Sequence, residues 1–185
     1  MVKKRGCVFI SGSGTNLREI IKASRDYSFP IKVCLVVSDN KKAKGIIFAK
    51  KFSIPHICLN TNKYKFEKDI LKKLLEYKID IICLAGFMKI LSSDFINKFK
   101  KPILNIHPSL LPKYKGLDTH RRVLENKEIY TGCTVHHVNS KLDAGKIILQ
   151  KKIKIFRNDN AKSLAKRVLL EEHKIYPKAI LKIYS

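Results

Sequence analysis

Three stretches of this 185-residue chain combine residue types that can do chemistry. The first is Asn105-Ile106-His107, followed by Pro108-Ser109-Leu110-Leu111-Pro112. Residues two apart in a strand point to the same face, so Asn105 and His107 are expected to project together. An amide that can donate to a carbonyl oxygen, beside an imidazole that can move a proton, is what an acyl-transfer site needs. On spacing alone the pair also reads as a capping Asn and an incidental His. The second stretch is Ser11-Gly12-Ser13-Gly14-Thr15-Asn16. Its glycines let the backbone approach a ligand, and amides at a helix start favour an anion. Leu17 holds the third glycine position of a dinucleotide fingerprint, and no Lys-Ser/Thr follows as a phosphate loop requires. A nicotinamide cofactor is therefore disfavoured, while a single phosphate and an ordinary strand-to-helix turn both stay open. The third stretch is Leu142-Asp143-Ala144-Gly145. A buried Asp143 near His107 would orient the ring and raise its pKa, although Asp-x-Gly is also a routine hairpin turn.

The elements that must position these groups alternate. Short apolar strands are expected at Cys7–Ile10, Ile31–Val37, Pro55–Leu59, Asp80–Ala85 and Ile103–Ile106. Helical spacing separates them at Asn16–Ser24, at Ala43–Phe52 with Ile46, Ile47 and Phe52 on one side, and at Ser92–Phe99 behind a Ser92 or Ser93 cap. Tyr64–Tyr77 is the clearest amphipathic helix, with Phe66, Ile70, Leu74 and Leu75 apolar. This rhythm predicts an α/β fold: one Rossmann-like domain over residues 1–185, with a mostly parallel twisted sheet and helices on both faces. Gly132–Val138 and Lys146–Ile155 are β-rich and too close together for a parallel crossover, so a late antiparallel or ribbon-like segment is expected. Ala161–Tyr184 reads as a helix that Pro177 should kink or break.

Composition excludes several classes. The chain is 45% hydrophobic and 29% charged, which is neither disordered nor membrane-embedded. Its apolar stretches are about ten residues where a spanning helix needs roughly 20. The run after Lys3-Lys4-Arg5 is too short for a signal peptide, so a cytoplasmic protein is expected. Lys and Arg number 39 against 15 Asp and Glu, for a formal charge of +24. The 32 Lys and seven Arg are scattered, with no basic tail and no aromatic alternation that would make a stacking platform. Compositional drift toward Lys, an anionic small substrate and a nucleic-acid partner all remain readings of the charge. Cys7, Cys34, Cys58, Cys83 and Cys133 have no C-x-x-C spacing and read as small apolar thiols, with neither a disulfide framework nor a metal site.

Taken in order along the chain, six segments carry a resemblance. They are Gly12 to Leu17, Leu84-Ala85-Gly86-Phe87-Met88-Lys89-Ile90-Leu91, Asn105 to Gly116, Gly132-Cys133-Thr134-Val135-His136, Leu142 to Gly145, and Glu172-His173-Lys174-Ile175-Tyr176-Pro177. Over nearly the whole chain they resemble the phosphoribosylglycinamide formyltransferases, folate-dependent enzymes of purine synthesis. The resemblance implies that Asn105, His107 and Asp143 are catalytic. It implies that Gly14, Thr15 and Asn16 hold the ribonucleotide phosphate and Glu172 the ribose hydroxyls. Met88, Lys89, Ile90, Leu91, Asn139 and Ser140, with Asn105 and Asp143, would take 10-formyltetrahydrofolate, and Lys63 would serve its tail. It further implies a cis Leu111-Pro112 bond, no metal, small-molecule substrates without nucleic acid or membrane, and a monomer or homodimer.

Several positions depart from the family pattern. His137 holds a place that is usually aromatic or aliphatic, Ser140 an often acidic one, Lys63 and Lys89 stand where Arg is common, and Leu169 replaces a residue that is polar in some relatives. These changes bear on folate affinity. His56, His120 and His136 read as structural or rim residues. Methionyl-tRNA formyltransferases and formyltetrahydrofolate hydrolases resemble the same catalytic block but carry further domains, which 185 residues are not expected to accommodate. A nucleic-acid-binding module would rest on charge alone.

Overall fold

In the computed structural model, which describes residues 2–59 and 61–185, the chain divides into two compact units. The first runs up to Leu104 and includes Tyr184; the second is Asn105–Ile183 with Ser185.

Alternation of strand and helix builds the first unit. β1 (Lys4–Ile10), α1 (Thr15–Ser24), β2 (Ile31–Ser38), α2 (Ile46–Lys51), β3 (His56–Cys58), α3 (Lys63–Glu76), β4 (Ile81–Leu84) and α4 (Ser93–Phe99) follow one another. The strands lie in the order β3-β2-β1-β4, and each of these pairs is parallel. Cys7 to Ile10 and Ile81 to Cys83 are fully buried. Such unbroken apolar runs suit strands covered on both faces, as in parallel sheets. Four phenylalanines fill the core: Phe9 meets Phe66, Phe87 and Phe95 edge-on, with centroids 5.3–6.4 Å apart, and Phe66 stacks on Phe87 at 5.8 Å. Chain travel reverses between β1 and β4, and open α/β sheets bind ligands outside the carboxyl ends of the strands at such a reversal.

Two helix faces differ from the expected ones. In α2, a helix of six residues that packs on β2 and β3, Ala49 is the buried residue and Ile47 is 63% exposed. In α3, Phe66, Ile70 and Leu74 are buried but Leu75 is 78% exposed. Glu67 takes part of the buried face instead. Its carboxylate accepts from the amide and hydroxyl of Ser92, and the Ser92 hydroxyl caps α4 by accepting from Phe95 N at 3.0 Å. A buried carboxylate is thus satisfied by the cap of the next helix.

β5 (Ile103–His107) carries the chain into the second unit, which contains α5 (Thr119–Glu125), β6 (Tyr130–His137), β7 (Ile147–Lys154) and α6 (Ala161–Lys182). β6 and β7 are the expected antiparallel pair, with a register shift between Val135 and His136. α5 has no counterpart in the sequence reading; its seven residues bury only Thr119 and Val123, too few for a periodic signal. α6 packs on β6, β7 and α5. Asn160 and Ser163 form a reciprocal capping box at its start. Of the expected kink or break at Pro177, the break does not occur: α6 runs on through it. A helix-interior proline costs about 3 kcal/mol, and burial of Ile175, Tyr176, Ala179 and Ile180 around it offsets that cost. The α/β class with mostly parallel strands and a late antiparallel pair is as expected. Among the described residues no helix is long and apolar enough to cross a membrane.

The phase of α3 is testable by paired truncations. Leu74→Ala should lose about 2–5 kcal/mol in urea denaturation, whereas Leu75→Ala should stay within about 0.5 kcal/mol of the parent. Equal losses would place the buried stripe elsewhere.

Candidate active site

The two-residue spacing of Asn105 and His107 does what a strand makes it do: both side chains leave β5 in the same direction, and both reach Asp143. His107 Nδ1 lies 3.3 Å from Asp143 Oδ2, and Asn105 Nδ2 lies 3.4 Å from Asp143 Oδ1. The Gly116 amide donates to Asp143 Oδ2 at 2.9 Å. His107 and Asp143 are 5% and 9% exposed. Asp143 sits in the connection between β6 and β7 with φ 46°, a left-handed conformation costing an L-residue roughly 1–2 kcal/mol. Gly145 lets this connection close, since a Cβ there would lie 1.7 Å from the His137 carbonyl oxygen.

A fourth member was read from sequence as structural or rim. His136, 2% exposed, places Nε2 3.2 Å from Asn105 Nδ2 and 3.6 Å from Asp143 Oδ1. Its Nδ1 is 2.8 Å from the His137 carbonyl oxygen and donates to it. The Asn105 amide nitrogen can only donate, so His136 Nε2 is its acceptor. The two amide protons of Asn105 are thus turned toward His136 and Asp143. Alternation along β6 puts His136 on the same face as Thr134, but nothing in the local sequence says which face meets Asn105.

His107 Nε2 is 2.8 Å from the Tyr114 carbonyl oxygen. A neutral imidazole has one N–H to share between that carbonyl and Asp143; only the imidazolium donates to both. Burial is the largest influence and pulls His107 below its ordinary value, with the Tyr114 carbonyl and Asp143 carboxylate opposing it. The expected rise from Asp143 is real as a contribution but is outweighed by desolvation. For Asp143, burial works against ionisation, yet the Gly116 amide and the charge of His107 hold the carboxyl below its ordinary value. The same burial lowers His120 and His137.

The loop after His107 is held by the buried Thr134 and by Gln150 at the surface. Thr134 Oγ1 donates to the Ser109 carbonyl at 2.6 Å and accepts from Leu111 N at 3.1 Å. Gln150 Nε2 donates to the Leu111 carbonyl at 2.8 Å. The Leu111–Pro112 bond is cis, and Tyr114, whose carbonyl meets His107, has φ 56°.

In the first unit, Gly14, Thr15 and Asn16 open α1. Gly14 is the N-cap with φ 69°, and a Cβ there would lie 2.6 Å from Gly45 Cα, so glycine is required twice over. No side chain caps this helix and its first turn has no acidic residue, which leaves its leading amides suited to an anion. After β4, Met88 and Ile90 are 66% and 59% exposed, whereas Leu91 is buried. Lys89 Nζ donates to the Thr61 carbonyl at 3.0 Å and stands 5.1 Å from the Phe66 ring centroid. Lys63 is exposed at the start of α3. In the second unit, Asn139 and Ser140 are exposed, with Asn139 Oδ1 accepting from Lys141 N. Glu172 is buried on α6; burial of the Cys133 thiol, and after it the Glu172 charge, push that thiol up. All five cysteines are free, four of them buried. Among the described residues no cluster of three His, Cys, Asp or Glu could hold a metal ion.

A histidine lowered by burial favours its neutral form, so folding loses stability as pH falls below the ordinary unfolded value of about 6.5. Between about pH 7 and 5, the urea midpoint of the parent should therefore fall more steeply than that of His107→Gln. Parallel profiles would show that burial of His107 does not control its titration.

A formyl transferase family model matches residues 4–180. The trifunctional purine biosynthetic protein adenosine-3 of Bos taurus is 43% identical over 99% of this chain, which covers 18% of that protein. This chain spans less than a fifth of the trifunctional relatives it matches. Phosphoribosylglycinamide formyltransferase of Haemophilus influenzae is 41% identical, with 96% of this chain and 85% of the relative covered. The crystal structure of phosphoribosylglycinamide formyltransferase from Brucella melitensis is similar at a TM-score of 0.92 and 40% identity, covering 98% of this chain and 96% of that one. On these likenesses the chain belongs to the formyl transferase family, among the phosphoribosylglycinamide formyltransferases.

Proposed function

We propose that the chain transfers the formyl group of 10-formyltetrahydrofolate to the amine of glycinamide ribonucleotide in purine synthesis. It acts in the cytoplasm as one catalytic domain over residues 1–185, as a monomer or homodimer, on small molecules without a nucleic-acid partner. The observation that carries this reading is the buried Asp143 carboxylate, set against His107 Nδ1 and Asn105 Nδ2 together.

The amine nitrogen attacks the formyl carbon, and the carbonyl oxygen becomes an oxyanion. Asn105 and protonated His107 donate to that oxygen. The bond from the formyl carbon to N10 of the folate then breaks, the carbonyl reforms, and the proton lost by the amine passes to N10 with help from Asp143 and His107. Burial disfavours the imidazolium until an anion forms beside it. His107 thus stabilises the transition state more than the ground state, which is the condition for raising kcat. The His107 proton that now meets the Tyr114 carbonyl is the one an oxyanion would compete for.

The ribonucleotide phosphate is assigned to the Gly14, Thr15 and Asn16 amides and the ribose hydroxyls to Glu172. The uncapped start of α1 supports the first assignment. The folate is assigned to Met88, Lys89, Ile90, Leu91, Asn139 and Ser140, with Lys63 near its carboxylates. Exposed Met88 and Ile90 offer the apolar surface a pterin needs. No step is assigned to a metal.

Purified protein should convert glycinamide ribonucleotide and 10-formyltetrahydrofolate to the formylated nucleotide, followed by the rise of tetrahydrofolate; a folded preparation without turnover would refute the reading. Asp143→Asn and His107→Ala should each lower kcat at least about 100-fold with little loss of nucleotide affinity. His136→Ala should lower kcat about 10-fold or more, because Asn105 loses its acceptor; an unchanged kcat would return His136 to a packing role.

A further inference from the structure

Ser11 has no part in the chemistry above, yet its polar atoms tie together three segments at the carboxyl end of the parallel strands. Its hydroxyl donates to Asp39 Oδ1 at 2.6 Å and accepts from the Met88 amide at 2.8 Å. Its amide donates to the Gly86 carbonyl at 3.1 Å, and its carbonyl accepts from Asn40 Nδ2 at 3.1 Å. A hydroxyl has one proton and two lone pairs. Giving the proton to the Asp39 carboxylate leaves a lone pair for Met88 N–H, so Asp39 fixes the polarity of the junction.

The segments on either side are the two proposed subsites of this unit. Gly12 follows Ser11 directly, and its carbonyl accepts from Gly45 N at 2.9 Å where Gly14 and Gly45 pack backbone to backbone. The other side is Gly86-Phe87-Met88. Phe87 is anchored among the core rings, but Gly86 has φ 73° and nothing within 4 Å of where a Cβ would stand. Packing therefore holds the Phe87 side chain, while the direction of the chain onward to Met88 rests on polar ties, of which the Ser11 hydroxyl is one.

We propose that the Ser11 hydroxyl, oriented by Asp39, is a positioning group shared by the phosphate turn at Gly14–Asn16 and the folate loop at Met88–Leu91. The inference rests on the subsite assignments made under the proposed function. Ser11 contacts neither substrate. It holds the amide of Met88 and the start of the glycine turn in one register, so its loss weakens both ligands together.

The test is calorimetric titration of the full chain with glycinamide ribonucleotide and, separately, with tetrahydrofolate. Ser11→Ala should weaken both ligands about 5–10-fold, as for loss of one hydrogen-bonding group, with the effect appearing in the KM of both substrates rather than in kcat. Ser11→Thr retains the hydroxyl and should restore both affinities to within about two-fold, which a packing role alone does not predict. Asp39→Ala added to Ser11→Ala should weaken neither ligand further, since the two groups act as one. If Ser11→Ala does not fold, Asp39→Asn should weaken both ligands in the same direction by a smaller factor. Weakening of one ligand only, failure of the Thr variant to rescue, or additive losses would overturn the proposal. Parent protein that binds neither ligand would overturn the subsite assignments as well, whereas tight binding by parent and Ser11→Ala alike would overturn this inference alone.

Discussion

The candidate active site depends on keeping one carboxylate, that of Asp143, ionised and out of water. A buried carboxylate without donors is costly enough that it takes up a proton instead. Here the Gly116 amide donates to it directly, and His107 and Asn105 present nitrogen within 3.4 Å. These partners hold Asp143 below its ordinary value despite burial, and in turn Asp143 fixes which atoms of Asn105 and His107 face inward. Backbone geometry serves the same end. Asp143 and Tyr114 both occupy the left-handed region, a conformation that persists at functional sites only where surrounding contacts over-determine it. The over-determination is visible in Thr134 and Gln150, which pin the Ser109–Leu111 backbone, and in the close approach of Gly145 to His137.

Burial works against the imidazolium of His107 as it works against the Asp143 carboxylate. The two groups differ in outcome because Asp143 has several donors aimed at it, whereas His107 has two acceptors that do not outweigh its loss of water. Such an imbalance suits a group whose charge is wanted only when a negative oxygen forms beside it. The parallel unit solves a different problem with neutral groups. At the start of α1 it uses positive φ at Gly14 and backbone amides that no side chain caps.

Most of the parallel unit was legible in the sequence because its strands are short unbroken apolar runs and α3 and α4 have side-chain caps at Asn62 and Ser92. Where the reading of faces failed, the reason was tertiary. Leu75 fits the apolar stripe of α3 by spacing, but the stripe is narrower than the spacing allows, and Glu67 enters the buried face because Ser92 offers it two donors. Pro177 reads as a kink or a break, yet with buried neighbours around it α6 continues past it. α5 is too short for its pattern to stand out.

The sequence by itself determined the alternation of elements, the shared direction of Asn105 and His107, and the glycine turn ahead of α1. Each follows from local stereochemistry: a period of two in a strand, a period near 3.6 in a helix, and the freedom of glycine at positive φ. What only the tertiary structure decided is the meeting of Asn105 with Asp143, 38 residues apart, and the entry of His136 between them. The net direction of the His107 shift was decided there too. Contacts between distant segments and the loss of water around a ring depend on how elements pack, and no local spacing encodes that.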